Sequence, residues 1–155
     1  MNAVRSSDIQ AQLKVAERRL LTAPRRHLLD GLGWANGVPG RPGIYAIWAT
    51  QHNTLVYVGQ TANLRARCTD LGRLPNHSFR RMAARRLGIA RDEGEVALSK
   101  AMATLFTISF MPFAYGRAEF EEYLIMRHRR TLWNKTARRI AFSGHERHRQ
   151  DRRRL

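Results

Sequence analysis

The chain is poor in residues that would commit it to several kinds of chemistry. It has one cysteine, Cys68, among 155 residues. A single thiol excludes an intrachain disulfide and a cysteine-based zinc centre, and it gives no sign of an oxidising compartment. Lysine is almost missing, with only Lys14, Lys100 and Lys135, and acids are scarce at 12. No apolar run approaches the roughly 20 residues that span a bilayer. No segment has the pattern of a signal peptide, so a cytoplasmic protein without a membrane partner is expected.

Arginine is abundant. The 28 basic residues include 25 arginines, and the net charge is +16. So large an excess of one sign points to a polyanion, and the planar guanidinium fork matches phosphate oxygens better than an ammonium does. Nucleic acid is favoured over an acidic membrane, because no basic amphipathic helix carries a broad Trp/Phe/Leu face. The length fits one domain, since domains usually run to roughly 100–200 residues. Three stretches divide it: an N-terminal helix and glycine-rich loop (1–41), a central domain (42–136) and a basic tail (137–155).

The local patterns predict an α+β fold. Ile9, Leu13, Ala16 and Leu20 recur at helical spacing behind Ser7, a possible N-cap. The stretch "DGLGWANGVPGRPG" is too rich in glycine and proline for a helix. "IYAIWA" and "LVYVG" read as strands covered on both faces, joined by the short turn "TQHN". A turn centred on Gln51 would place Tyr45 opposite Tyr57, with both phenols on one face. Helices are expected over 61–71, with Leu64, Cys68 and Leu71 inward, and over 74–88, capped near Asn76 and ended by Gly88. A short helix is expected near 92–102, a strand over 104–113 closed by Pro112, and a last helix over 116–134.

Chemistry on phosphodiesters usually needs a hard cation, and Mg²⁺ prefers carboxylate and water oxygens. Glu17, Asp92, Glu93, Glu95, Glu146 and Asp151 read as solvated charges. In the last helix Phe120, Tyr123 and Leu124 mark one apolar face, while Ala118, Ile125 and Met126 mark another that encloses Glu122. Glu122 is therefore the unusual acid, in a salt bridge or a site, whereas Glu119 and Glu121 read as solvated. Arg67 borders the apolar stripe of its helix and Arg65 leans toward water. His77 lies near a helix start.

These residues resemble the GIY-YIG nuclease family: "GIY" at 43–45, "YVG" at 57–59 with eleven residues between the tyrosines, and an arginine ten positions after Tyr57. The resemblance continues in "EYLIMRHRRTLWN" and covers roughly 42–136. It implies a three-stranded antiparallel sheet flanked by helices, and hydrolysis of double-stranded DNA with one Mg²⁺ or Mn²⁺. Carried over by position, Tyr45 and Tyr57 are the family tyrosines, one of them activating water as phenolate beside cationic charge. Arg67 contacts phosphate, Glu122 is the metal ligand and Asn134 is a supporting polar residue. Leu71 stands one turn after the arginine, where many members have histidine, and Gln60 stands where repair-type members often have lysine. His77 is the candidate replacement.

Arg65, Arg73, Arg80, Arg81, Arg85, Lys135, Arg138 and Arg139 are the expected DNA contacts. The additions around the central domain resemble restriction or phage-defence members, with a structure-specific or mobile-element nuclease as the alternative. The protein would act as a monomer or homodimer. Two rivals are a DNA-binding module of the same fold without turnover, and a basic protein that binds RNA or ribosomes.

Overall fold

A computed structural model describes residues 6–29, 31, 33–73, 77–90 and 94–134. The element order is α1 (Ser6–Thr22), β1 (Arg26–His27), a 3-10 turn at Trp34–Gly37, β2 (Gly43–Ala49), β3 (Thr54–Thr61), α2 (Leu64–Arg73), α3 (Ser78–Leu87), α4 (Gly94–Leu105), β4 (Phe106–Pro112) and α5 (Arg117–Arg127). The strands make one antiparallel sheet in the order β1-β4-β2-β3. The expected α+β class holds, with four strands in place of three. The extra strand, β1, is two residues long, too short for alternation to show in the sequence.

The hairpin register corrects the simple turn arithmetic. Tyr45 pairs with Gly59, and Ile47 pairs with Tyr57. The next pair is Trp48 with Leu55, so Val56 is an extra residue on β3. Beyond this bulge the pairing is displaced by two residues from a turn centred on Gln51, and an even displacement leaves the faces unchanged. Tyr45 and Tyr57 therefore still share a face as diagonal neighbours, their ring centroids 6.0 Å apart and nearly parallel. The bulged Val56 carbonyl accepts the Trp133 N–H at 2.7 Å, which ties the segment after α5 to the sheet.

Both sheet faces are covered, which accounts for the nearly continuous apolar runs of β2 and β3. On one face Tyr45, Ile47, Val56 and Tyr57 pack with Leu64, Cys68 and Leu71 of α2, Phe79 and Ala83 of α3, and Leu98 and Met102 of α4. On the other, Ile44, Ala46, Trp48 and Val58 meet Ala16 and Leu20 of α1 and Phe120, Leu124 and Ile125 of α5. Each fully buried Leu, Ile or Phe contributes about 1.5–3 kcal/mol. Thus α1 belongs to the core, although Ile9 at its start is 49% exposed.

Several charged residues sit differently from their sequence reading. Glu17 was expected in water, but it is buried between α1 and α5. There it accepts hydrogen bonds from the Tyr123 hydroxyl (2.9 Å) and Arg127 Nε (2.9 Å), and lies 2.6 Å from His128 Nε2. Arg80, expected on the DNA surface, is 1% exposed. Its guanidinium pairs with Glu95 and donates to the Leu71 carbonyl and the Ser99 hydroxyl, tying α2, α3 and α4 together. A helical wheel has a polar arc but does not reveal that another helix covers it, which is why both positions were misread.

Among the described residues no helix is long and apolar enough to cross a membrane.

Candidate active site

Two glycines of the sequence motif have mechanical roles. A Cβ on Gly43 would lie 2.4 Å from the Met111 carbonyl oxygen and 2.5 Å from Leu64 Cδ1, so its absence lets β2, β4 and α2 close together. A Cβ on Gly59 would lie 2.5 Å from the Tyr45 Cζ and hydroxyl oxygen. Gly59 is therefore the floor on which the Tyr45 ring rests.

Around that ring is a cleft of about 330 Å³. Tyr45 of β2 and Tyr57, Gly59 and Gln60 of β3 form one wall, and Arg67 of α2 enters beside them. His77, Ser78 and Met82 come from the start of α3, and Glu121 and Ile125 from α5. Asn134 completes the lining by pairing with the backbone of edge strand β3: its Nδ2 donates to the Val58 carbonyl at 2.6 Å, and its Oδ1 accepts the Val58 N–H at 3.3 Å. The side-chain amide thus acts as one more peptide unit at the sheet edge.

The structure brings Tyr45, Tyr57, Arg67, His77 and Asn134 into one cleft and leaves Glu122 outside its lining, with Glu121 in its place. The correction follows from helix geometry. At about 100° per residue, Glu121 falls between Leu124 and Ile125 on the buried arc of α5, while Glu122 falls beyond Ile125 toward Met126. Of the second apolar face that had singled out Glu122, Ile125 is buried, Ala118 is exposed and Met126 is 65% exposed, so Glu122 lies half-buried at the border between core and water. The arc of Phe120, Leu124 and Ile125 was the sequence signal for Glu121.

Burial governs the site's electrostatics. Desolvation pushes the Tyr45 phenol well above its ordinary value; the Tyr57 phenol adds to this, and Arg67 opposes it. Tyr57 is also raised, chiefly by burial, with Glu121 raising it further. The contact between the two hydroxyls and the Arg67 charge pull Tyr57 back down. Arg67 thus favours phenolate at both rings, but burial outweighs it, and without a further cation both phenols keep their protons at neutral pH. Burial also pushes the Cys68 thiol up to about 12, which leaves it protonated and unreactive.

His77 caps α3, within one residue of the cap expected near Asn76, its Nδ1 accepting the Phe79 N–H at 3.2 Å. Desolvation, with repulsion from Arg67 next, lowers its imidazole to about 4. Leu71 is buried in the core, and Gln60 accepts from Arg117 Nε at 3.4 Å.

No protein-family model matches the chain, and no curated protein matches it.

Of the expected DNA contacts, Arg65, Arg73, Arg81 and Arg85 are exposed. Arg65 also donates from Nε to the Val38 carbonyl at 2.9 Å, so only the rest of its fork faces outward. Lys135, Arg138 and Arg139 lie outside the described residues. Among the described residues no cluster of three or more His, Cys, Asp or Glu gathers. A hard cation that retains several waters does not need one: a single carboxylate in a cleft of hydroxyl and amide oxygens fits Mg²⁺ bound jointly with a phosphate.

Proposed function

We propose that this protein is a divalent-metal-dependent DNA endonuclease of the GIY-YIG type. The observation that carries the reading is the convergence of Tyr45, Tyr57, Arg67, Glu121 and Asn134 on one cleft from five parts of the chain. A carboxylate, a guanidinium and two buried phenols meeting at a sheet edge can supply the metal ligand, the charge stabilisation and the water activation that hydrolysis of a phosphodiester uses.

Arg67 holds nonbridging oxygens of the phosphate and offsets the charge that develops there. Glu121 is the residue that would hold the cation, in place of Glu122. When bound, a divalent cation supplies positive charge at the leaving oxygen and adds to Arg67 in favouring a phenolate. Of the two phenols, Tyr57 is the less strongly raised. It takes the proton from the attacking water, and Tyr45 steadies its oxygen from the adjoining position. Asn134 maintains the edge of β3 and so the position of Tyr57. Exposed Arg73, Arg81 and Arg85 supply sequence-independent phosphate contacts. With α1, α3 and α4 folded onto the same sheet, recognition elements built into the domain suit a restriction or phage-defence enzyme.

Supercoiled plasmid tests the reading. Nicked or linear product that appears with Mg²⁺ and disappears with EDTA supports it. Salt-sensitive plasmid binding without cutting under either condition would favour a binding module of the same fold.

A further inference from the structure

His77 presents a combination that neither helix capping nor packing explains. Its side chain is buried, with 5% exposure, yet it lines the cleft. One ring nitrogen is committed: Nδ1 accepts the Phe79 N–H, so it carries no proton. In the neutral ring the proton then sits on Nε2. That buried Nε2 has no hydrogen-bond partner among the described residues. Buried donors are nearly always satisfied; of the two orphans among the described residues, Arg80 Nε and His77 Nε2, only the second belongs to a residue that lines the cleft.

We propose that His77 is a fixed, neutral hydrogen-bond donor whose Nε2–H binds an oxygen of the substrate phosphodiester. This inference rests on the nuclease reading and assigns a seat for the phosphate within it. The neighbours agree on an anionic acceptor. Arg67 lines the same cleft with donors only, and Ser78, the first residue of the ten-residue α3, also lines it, near the positive end of the helix. The charged groups that act on the ring are Arg67 and Asp70 of α2 and Arg80 and Arg81 of α3, and three of these four disfavour an imidazolium. The ring cannot serve as a base, because its unprotonated nitrogen is occupied by the cap. His77 is therefore a binding group, and proton transfer falls to another residue.

Two substitutions separate capping from donation. His77→Asn keeps an acceptor for the Phe79 N–H but has no donor at the Nε2 position, whereas His77→Gln places an amide N–H near that position. The expected result is wild-type thermal stability for His77→Asn with duplex oligonucleotide binding in EDTA weakened roughly tenfold to a hundredfold, the worth of a hydrogen bond to a charged acceptor. His77→Gln should recover most of that binding. Nitrogen-15 NMR of the full-length wild type should show the proton on Nε2 at neutral pH and an Nε2–H signal that shifts when the oligonucleotide is added. A proton on Nδ1, a signal indifferent to DNA, or unweakened binding by a folded His77→Asn overturns the proposal. If His77→Asn does not fold, the wild-type spectrum decides. None of these measurements needs turnover, so a protein that binds as described but never cuts would remove the nuclease reading and leave this contact standing.

Discussion

The Tyr45 ring occupies the space that a side chain at Gly59, its cross-strand partner, would fill: a Cβ there would approach the phenol to 2.5 Å. The glycine of one tripeptide thus sets the position of the tyrosine of the other. Gly59→Ala should tilt the phenol away from Tyr57 and lower stability by about 1–3 kcal/mol through overpacking. Cutting should fall by a larger factor than the stability loss explains. Urea unfolding measured beside plasmid nicking checks both effects.

The tyrosines should not be equivalent. Tyr57 is held nearer its ordinary titration range than Tyr45, so it is the proton acceptor in this account. Tyr57→Phe should reduce the single-turnover rate by about 10²–10⁴, the range for loss of a general base. Tyr45→Phe should have a smaller effect. Because burial raises Tyr57, the wild-type rate should climb through the alkaline range, and the climb should be absent in Tyr57→Phe.

His77 imposes a pH dependence on stability. Its folded value of about 4 lies below the ordinary 6.5, so the unfolded chain binds the proton more readily. The native state is therefore unpenalised above pH 6.5 and loses stability as pH falls through that value toward about 4. The loss should be on the order of 2 kcal/mol, allowing for screening at a ring that borders an open cleft. Urea midpoints across this window should fall less steeply for His77→Asn than for the wild type.

Buried and exposed arginines of α3 should separate cleanly. Arg80→Ala removes a side chain that ties three helices together and should destabilise the fold by about 2–4 kcal/mol, as large-to-small core changes do. The salt dependence of DNA binding should barely change. Arg81→Ala and Arg85→Ala should leave the melting temperature in place and each reduce the slope of log K against log salt by about one. Filter binding at several salt concentrations, with thermal melts, distinguishes the two groups.

The sequence carried most of the framework. Apolar periodicity located α1, α2, α3, α5 and the three long strands, because in each the core-facing residues recur at a fixed spacing. Even the mistaken hairpin register left both tyrosines on one face, since the slip was by an even number. What stayed hidden depended on tertiary packing. The two-residue β1 exists only because β4 offers it an edge. Glu17 and Arg80 read as solvated until neighbouring helices covered them. Glu122 was chosen over Glu121 because Ala118, Ile125 and Met126 formed an apolar stripe, and only packing shows that the sheet takes Ile125 and leaves Met126 in water.

Glu121 against Glu122 is the most direct test of the account. Supercoiled plasmid should be incubated with Mg²⁺ and wild type, Glu121→Gln or Glu122→Gln, after confirming that each protein is folded and binds DNA. Cutting should be lost in Glu121→Gln, with DNA binding retained, and should persist in Glu122→Gln. Undiminished cutting by Glu121→Gln, or loss only in Glu122→Gln, would contradict the assignment of the cleft as the active site.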